Sequence, residues 1–136
     1  MKKIAIVADG WRRYINYAWI SGCRQYIKEK KLDAQLYVFY AFGNFSKDEK
    51  YNQGEYNIIT LPDFRQFDGI IVELTNVLKR KYARKIIDTI RTSKVPAVSL
   101  LERIPGLYFA GIDNYSAMKE IVEHLVTVHG CRKINF

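Results

Sequence analysis

The chain alternates short, continuous apolar runs with longer segments of helical periodicity, and this alternation limits the folds open to it. Ile4–Ala8 is a run of five apolar residues closed by Asp9 and Gly10, which is typical of a parallel strand buried on both faces. Residues 15–27 follow with apolar side chains spaced mainly by three or four positions, which predicts one face of a helix. The chain therefore begins with a strand and then a helix.

The same alternation continues along the rest of the sequence. Helical stripes are predicted for residues 77–90 and 118–128, and strands for 35–42, 70–72, 95–101 and 108–112, with one more strand starting at 133. The polar segment 43–54 predicts a loop with at most a turn of helix, and residues 56–61 can be extended. Strands that alternate with helices favour right-handed crossovers. We therefore expect an α/β fold with a three-layer architecture, in which helices cover both faces of a parallel sheet.

Length, composition and the two cysteines define the class of protein. The chain has 136 residues, 49% of them hydrophobic and 26% charged, which predicts one folded α/β domain over residues 1–136 and excludes a disordered chain. A net charge of +8 favours acidic partners without defining the fold. Cys23 and Cys131 are too far apart for a Cys-x-x-Cys site and fit buried thiols in a reducing compartment. The first apolar run is too short for a signal sequence or a membrane span, so we expect a cytoplasmic protein without a membrane partner.

Aromatic and polar residues follow the first strand, where ligands of parallel sheets bind. Trp11, Tyr14 and Tyr17 lie within two turns of the expected helix start and close to Asp9. Flat rings beside fixed donors and acceptors suit a sugar-like or amphipathic small molecule. Ordinary packing around a capped helix explains the same residues, and the sequence leaves both interpretations open.

The sequence lacks the residues that several other kinds of functional site require. One glycine, Gly10, follows the first strand, which excludes the usual dinucleotide fingerprint, and a receiver domain would need an acceptor aspartate where Glu73 stands. His124 and His129 are five residues apart, which is expected to place them on different faces of one helix. The sequence thus predicts no catalytic residues, no metal site and no cofactor. We interpret the basic run Lys79–Lys85 as a solvated helix face rather than a nucleic-acid surface.

Four segments resemble a known family. They are Phe67–Val72 (FDGIIV), Val95–Val98 (VPAV), Gly111–Ala117 (GIDNYSA) and His124–Phe136 (HLVTVHGCRKINF). In this order they are similar to the effector-binding domain of LacI/GalR-type regulators, which has the periplasmic-binding-protein-like fold. That resemblance implies a sensor of two α/β lobes with a ligand cleft between them, of which this chain matches the first lobe only.

The resemblance also implies which residues contact the ligand and which partners the chain has. Asn114 would cap the last helix, and an exposed sheet edge would favour a homodimer. LacI-type repressors carry a helix-turn-helix segment before the first strand, whereas Met1 directly precedes that strand here, so we expect no direct DNA binding by this chain and an output module C-terminal to it in a longer protein. Gly54–Ile58 and Leu61–Phe64 resemble the sensor regions of diguanylate cyclases in particular. The implied ligand contacts are Asp9, Trp11, Tyr14 and Tyr17 after strand one, Glu73 after strand three and Asp113 after strand five.

These expectations lead to two principal hypotheses. The first is a non-catalytic, cytoplasmic ligand-sensing domain of a bacterial regulator that closes around a small, sugar-like effector. The second is a dimerisation or interaction module, or the input domain of a diguanylate cyclase, that binds no small molecule. An enzyme of flavodoxin-like fold is a third class, and no catalytic constellation favours it.

Overall fold

The fold is an α/β structure built on one five-stranded parallel sheet. The computed structural model describes residues 1–10, 13–42, 46–77 and 79–135, with Arg13 described by its backbone alone. In chain order the elements are β1 (Lys2–Asp9), α1 (Arg13–Glu29), β2 (Ala34–Ala41), α2 (Glu49–Ile59), β3 (Gly69–Glu73), α3 (Arg80–Ser93), β4 (Ala97–Leu100), β5 (Tyr108–Ala110) and α4 (Asn114–Thr127). The strands are ordered β2-β1-β3-β4-β5, and every neighbouring pair is parallel. The α/β class and the parallel sheet are confirmed.

The main core lies between the sheet and two helices, α2 and α3. Successive side chains of a strand point to opposite faces, so β1 and β3 each contribute every second residue to this core. A fully buried isoleucine stabilises a fold by about 1.5–3 kcal/mol through the apolar area removed from water. The buried side chains include Ala5, Val7, Ile70 and Val72 of the sheet, Tyr56 and Ile59 of α2, and Ile86 and Ile90 of α3.

The opposite face of the sheet is covered by α1 and is partly open. The α1 residues Trp19, Cys23 and Tyr26 stand beside an apolar groove of about 650 Å³. Its floor is formed by side chains of this second face, among them Ile4, Ile71 and Val98. Helices therefore lie on both faces of the sheet, which is compatible with the expected three layers.

The helix α4 stands away from this core. None of its side chains is buried, and Met118 and Ile121, which belong to its predicted apolar stripe, are 47% and 54% exposed. In the described part of the chain, no helix combines the length and the hydropathy that a bilayer crossing requires.

The segment between β2 and β3 differs from the prediction. Residues 49–59 form the eleven-residue helix α2, where the sequence predicts a loop followed by an extended stretch. Asp48 is the N-cap of this helix, and its side chain accepts a hydrogen bond from the amide of Lys50 at 2.8 Å. It buries Asn52, Tyr56 and Ile59 on one face, and a buried asparagine in that stripe hides the helical spacing. Gly54–Ile58 thus lies within a helix.

The strand predicted from residue 133 is absent from the described residues. Residues 133–135 form neither strand nor helix, and Phe136 lies outside the described residues. A parallel strand forms only where a neighbouring strand supplies its hydrogen-bond partners, and none of the described strands pairs with residues 133–135. The sheet of the described chain therefore ends at β5.

Candidate functional site

A pocket lies at the carboxyl edge of the sheet, beside the point where the strand order reverses. From β1 the chain moves outward to β2 in one direction and then to β3, β4 and β5 in the other, so the reversal falls between β1 and β3. Open parallel sheets bind ligands at such a point. The pocket has a volume of about 340 Å³ and is enclosed by the first half of α1 and by residues that end β3, β4 and β5.

The carboxylate of Glu73 is the charged group of this pocket. Glu73 ends β3, directly opposite Ala8 in the register of β1, and only 3% of the residue is exposed. Its Oε1 accepts hydrogen bonds from the backbone amide of Thr75, at 2.8 Å, and from the Thr75 hydroxyl. No hydrogen bond from a described residue reaches Oε2. One oxygen is thus held in place by the turn that follows β3, and the other remains available as an acceptor.

Asn16 fixes the wall of the pocket that α1 provides. This residue is 1% exposed, and its Nδ2 donates to the backbone carbonyl of Asp9 at 2.8 Å. Its Oδ1 accepts from the indole Nε1 of Trp19 at 3.1 Å. Because the donor of Trp19 is engaged, the ring presents its apolar surface, and Trp19 lines the pocket.

The wall opposite Trp19 contains a strained residue. Leu101 follows β4 with φ of +66°, and its amide donates to the carbonyl of Ala110 at 3.0 Å. A leucine in the left-handed region costs on the order of 1–3 kcal/mol, and such strain is concentrated at functional sites. Leu101 lines the pocket together with Leu100 and Ala110. The hydrogen bond holds the strained backbone at the rim.

The residues named from the sequence occupy different places in the structure. Glu73 lines the pocket, and Asp9 is buried at the end of β1 with 1% exposure. Tyr14 and Tyr17 are 77% and 62% exposed, and neither lines this pocket; Tyr17 instead borders a separate groove between α1 and β2. Trp11 lies outside the described residues. The structure therefore brings Asp9 and Glu73 to neighbouring strand ends and leaves the tyrosines apart.

Asp113 serves as the N-cap of α4. Its carboxylate accepts hydrogen bonds from the amide of Ser116 at 3.1 Å and from the Ser116 hydroxyl at 2.9 Å. The hydrogen bond from the Ser116 amide, foremost, lowers the pKa of the Asp113 carboxyl below its usual value. The expectation that Asn114 caps this helix was wrong, because Asn114 is its first residue. Aspartate and asparagine are equally good N-caps, so the residue type alone does not show whether Asp113 or Asn114 caps the helix.

Sequence reasoning missed Trp19 and gave Asn16, Thr75 and Asn76 no defined role. Trp19 falls within the apolar helical stripe that the sequence predicts over residues 15–27, and in the structure it lines both the apolar groove and the pocket. The sequence signal for Trp19 is that it lies three positions after Asn16, since residues three apart on a helix are neighbours. Thr75 follows Glu73 at the spacing of a local side-chain turn.

The two histidines also lie closer together than expected. The Nε2 atoms of His124 and His129 are 3.1 Å apart, so the expectation that they lie on different faces of one helix was wrong. The helix ends at Thr127, and the chain after it turns back. Within the described residues, no three or more histidine, cysteine, aspartate or glutamate side chains are grouped to hold a metal ion.

The basic residues at the start of α3 are partly neutralised by Glu49. Lys79 and Lys81 both form ion pairs with this carboxylate, the second at 2.7 Å, and the Tyr82 hydroxyl donates to it at 2.7 Å. These hydrogen bonds, with that from Lys79 first, lower the pKa of Glu49 to about 2. Two of the charges in the run therefore connect α3 to α2.

Comparisons with protein-family models, with curated proteins and with solved structures found no significant match to this chain.

Proposed function

We propose that this chain is a ligand-sensing α/β lobe, similar to the first lobe of LacI-type effector-binding domains, that binds a small sugar-like molecule at the carboxyl edge of its sheet. The observation that carries the proposal is the pocket at the strand-order reversal, with the buried carboxylate of Glu73 inside it. Fixed acceptors beside a flat apolar ring suit a polyol, whose hydroxyls donate hydrogen bonds while its C–H face packs on the ring.

The binding chemistry follows from Glu73 and Trp19. Oε1 of Glu73 is oriented by Thr75, so the carboxylate is held before a ligand arrives and little entropy is lost on binding. A charged acceptor forms stronger hydrogen bonds than a neutral one, which favours ligands with vicinal hydroxyls. Trp19 is held by Asn16 and supplies the flat surface.

Signalling would require a second lobe that closes over this edge. A ligand that contacts both lobes in the closed form and one lobe in the open form has a higher affinity for the closed form, and that difference shifts the population. Asp9, Tyr14 and Tyr17 follow the first predicted strand in sequence, and Asp113 follows the fifth. The resemblance makes these four residues candidate contacts of the closed state. The chain's role in this scheme is non-catalytic.

The test is ligand-observed NMR of the full chain against a panel of sugars and nucleosides, which detects millimolar binding. We expect at least one polyol to bind, and Glu73→Gln to weaken it on the order of tenfold or more, the loss of one charge-assisted hydrogen bond. Glu102→Gln is the matched control, because Glu102 is exposed and lies outside the pocket. No binding by any panel member, or equal binding by wild type and Glu73→Gln, would overturn the proposal.

A second candidate function is a dimerisation module, and the exposed apolar face of α4 favours it. Met118 and Ile121 are about half exposed, and the groove beside α1 is also apolar. A stable interface between two copies would bury about 1,200–2,000 Å² in total. Multi-angle light scattering of the chain separates the two hypotheses, since a strictly monomeric species at high concentration contradicts a dimerisation role and leaves ligand sensing intact.

A further inference from the structure

The end of α4 is shaped so that two imidazole rings meet. The last helical residue is Thr127, and Val128 is its C-cap. Gly130 then adopts φ of +65°, a conformation that glycine reaches without steric cost. The amide of Cys131 donates to the carbonyl of Leu125 at 3.0 Å, which closes the turn over the final helical residues. His129 is thereby folded back towards His124.

The separation of the two rings is that of two ligands on one metal ion. Their Nε2 atoms are 3.1 Å apart, and the rings are inclined by 73° with centroids 4.9 Å apart. Metal–imidazole bonds of about 2.0–2.1 Å place two nitrogen ligands roughly 2.9 Å apart at a right angle and roughly 3.4 Å apart at the tetrahedral angle. The distance found here lies between these limits.

A hydrogen bond between the two rings is a weak explanation of their short Nε2–Nε2 distance. Both histidines are exposed, and a net hydrogen bond in contact with water is worth little. Such a bond also demands opposite tautomers, since one Nε2 must carry a proton and the other must not. Two rings with the same tautomer, each with a bare Nε2, would instead present two lone pairs to a cation.

We propose that His124 and His129 form a two-histidine chelate for a divalent first-row transition ion such as Zn²⁺. Imidazole nitrogen suits Zn²⁺, Cu²⁺ and Ni²⁺, whereas Mg²⁺ and Ca²⁺ require oxygen ligands. The described chain supplies no third histidine, cysteine or carboxylate to this pair. Water or an external ligand therefore completes the coordination, and the ion is exchangeable.

Chelation would connect the last turn of α4 to the segment after Gly130. One ligand lies on the helix and the other beyond its cap, so the ion restrains the turn between them. Once one nitrogen is bound, the second binds at a high effective concentration, which raises affinity over a single imidazole by roughly a hundredfold or more. This gain is the measurable signature of a two-nitrogen site.

The composition of the chain makes the test clean, because it contains only two histidines. In the full chain labelled with ¹⁵N-histidine, a long-range ¹H–¹⁵N spectrum shows these two rings alone. With Zn²⁺ added near neutral pH, we expect both Nε2 signals to shift with one common midpoint while both Nδ1 atoms keep their protons. Mg²⁺ is expected to leave the spectrum unchanged.

Substitution identifies the ligands. His124→Gln and His129→Gln are each expected to weaken Zn²⁺ binding by roughly a hundredfold, and both sites are exposed, so the fold should tolerate them. Cys131→Ser is the control for a thiolate site and is expected to bind Zn²⁺ as the wild type does. A response of one ring only, a response at Nδ1, unchanged binding in either glutamine variant, or loss of both ring responses in Cys131→Ser would overturn the proposal.

Discussion

The side-chain amide of Asn16, in α1, donates a hydrogen bond to the backbone carbonyl of Asp9, at the end of β1, at 2.8 Å. Both residues are 1% exposed. The same asparagine accepts from the Trp19 indole, so one buried side chain connects the end of the first strand, the first turn of the helix and the ring that lines the pocket. The geometry of the candidate site therefore depends on a residue whose side-chain amide is hydrogen-bonded within the protein at both its nitrogen and its oxygen.

Asn16→Ala is expected to destabilise the fold by about 1–3 kcal/mol, since it removes the side-chain partner of a buried carbonyl and of a partly buried indole donor. Urea unfolding followed by circular dichroism measures this. Asn57→Ala is the matched control: Asn57 is an exposed helical asparagine, and its loss should change stability by no more than about 0.5 kcal/mol. Equal effects of the two substitutions would contradict the role assigned to Asn16.

Asp113 can act as a helix cap, as a ligand contact, or as both, and two substitutions distinguish these roles. Asp113→Ala removes the acceptor for Ser116 and is expected to speed amide hydrogen exchange severalfold in the first turn of α4. Asp113→Asn keeps an equally good cap and should leave exchange unchanged. If both variants bind the polyol as the wild type does, Asp113 is a cap alone; unchanged exchange in Asp113→Ala would contradict the capping role.

The exposure of α4 leads to a comparison of two isoleucines. Ile86 in α3 is 1% exposed, whereas Ile121 in α4 is 54% exposed. Ile86→Ala is expected to cost about 2–5 kcal/mol, because it leaves a cavity in the main core, and Ile121→Ala should cost no more than about 0.5 kcal/mol. Chemical denaturation of both variants checks the pair. A large loss of stability in Ile121→Ala would mean that α4 is buried in solution, either against a second copy of the chain or in the apolar groove beside α1.

Leu101 offers a test of strain at the pocket rim. Its side chain is 55% exposed and its φ is positive, so Leu101→Asn removes little buried area and replaces leucine by a residue that tolerates this conformation. We expect a gain of about 0.5–1 kcal/mol in the free energy of unfolding, together with weaker binding of the polyol. The control is Leu32→Asn, at a similarly exposed leucine with an ordinary φ. A lower free energy of unfolding in Leu101→Asn would contradict the conclusion that the Leu101 backbone is strained.

The sequence predicted those elements whose burial pattern is simple. α1 and α3 were found because their apolar residues follow one stripe, and β1 and β3 because they are buried on both faces. The sequence does not predict α2, because one of its buried positions, Asn52, is polar. The side-chain amide of Asn52 donates a hydrogen bond to the Ser46 carbonyl at 2.8 Å, and no local sequence pattern indicates this contact. Helix propensity also argues against this segment, since Gly54 disfavours a helix by about 1 kcal/mol relative to alanine.

The candidate site was predicted in part. Glu73 could be named because strand ends are readable from sequence and ligands bind beyond them. The exposed tyrosines could not be excluded, because the direction of a side chain after a strand depends on where the helix begins. The His124–His129 pair depends on a chain reversal at Gly130, so it does not follow from spacing along a continuous helix. The contact between Asn16 and Trp19 joins residues three apart on α1, and this spacing is readable from the sequence.

The Glu49 carboxylate gives the fold a pH dependence of known sign. Lys79, Lys81 and Tyr82 hydrogen-bond to it from α3, and the pKa of Glu49 falls from 4.5 to about 2 as a result. A carboxyl whose pKa is lower in the folded protein stabilises it above its unfolded pKa, and the contribution is lost as the pH falls through the folded pKa. The stabilisation by Glu49 is therefore complete above pH 4.5 and disappears towards pH 2.

Glu49→Gln removes this contribution, since a neutral amide attracts the two lysines less than a carboxylate does. We expect the variant to unfold at a lower urea concentration than the wild type near neutral pH, with the difference constant down to about pH 4.5 and vanishing as the pH approaches 2. Because the Glu49 side chain is 44% exposed, added salt should reduce the difference. Glu120→Gln, at an exposed glutamate of α4, is expected to show no such difference at any pH. A gap between wild type and Glu49→Gln that stays constant down to pH 2 would show that the carboxylate's charge is not what connects α2 to α3.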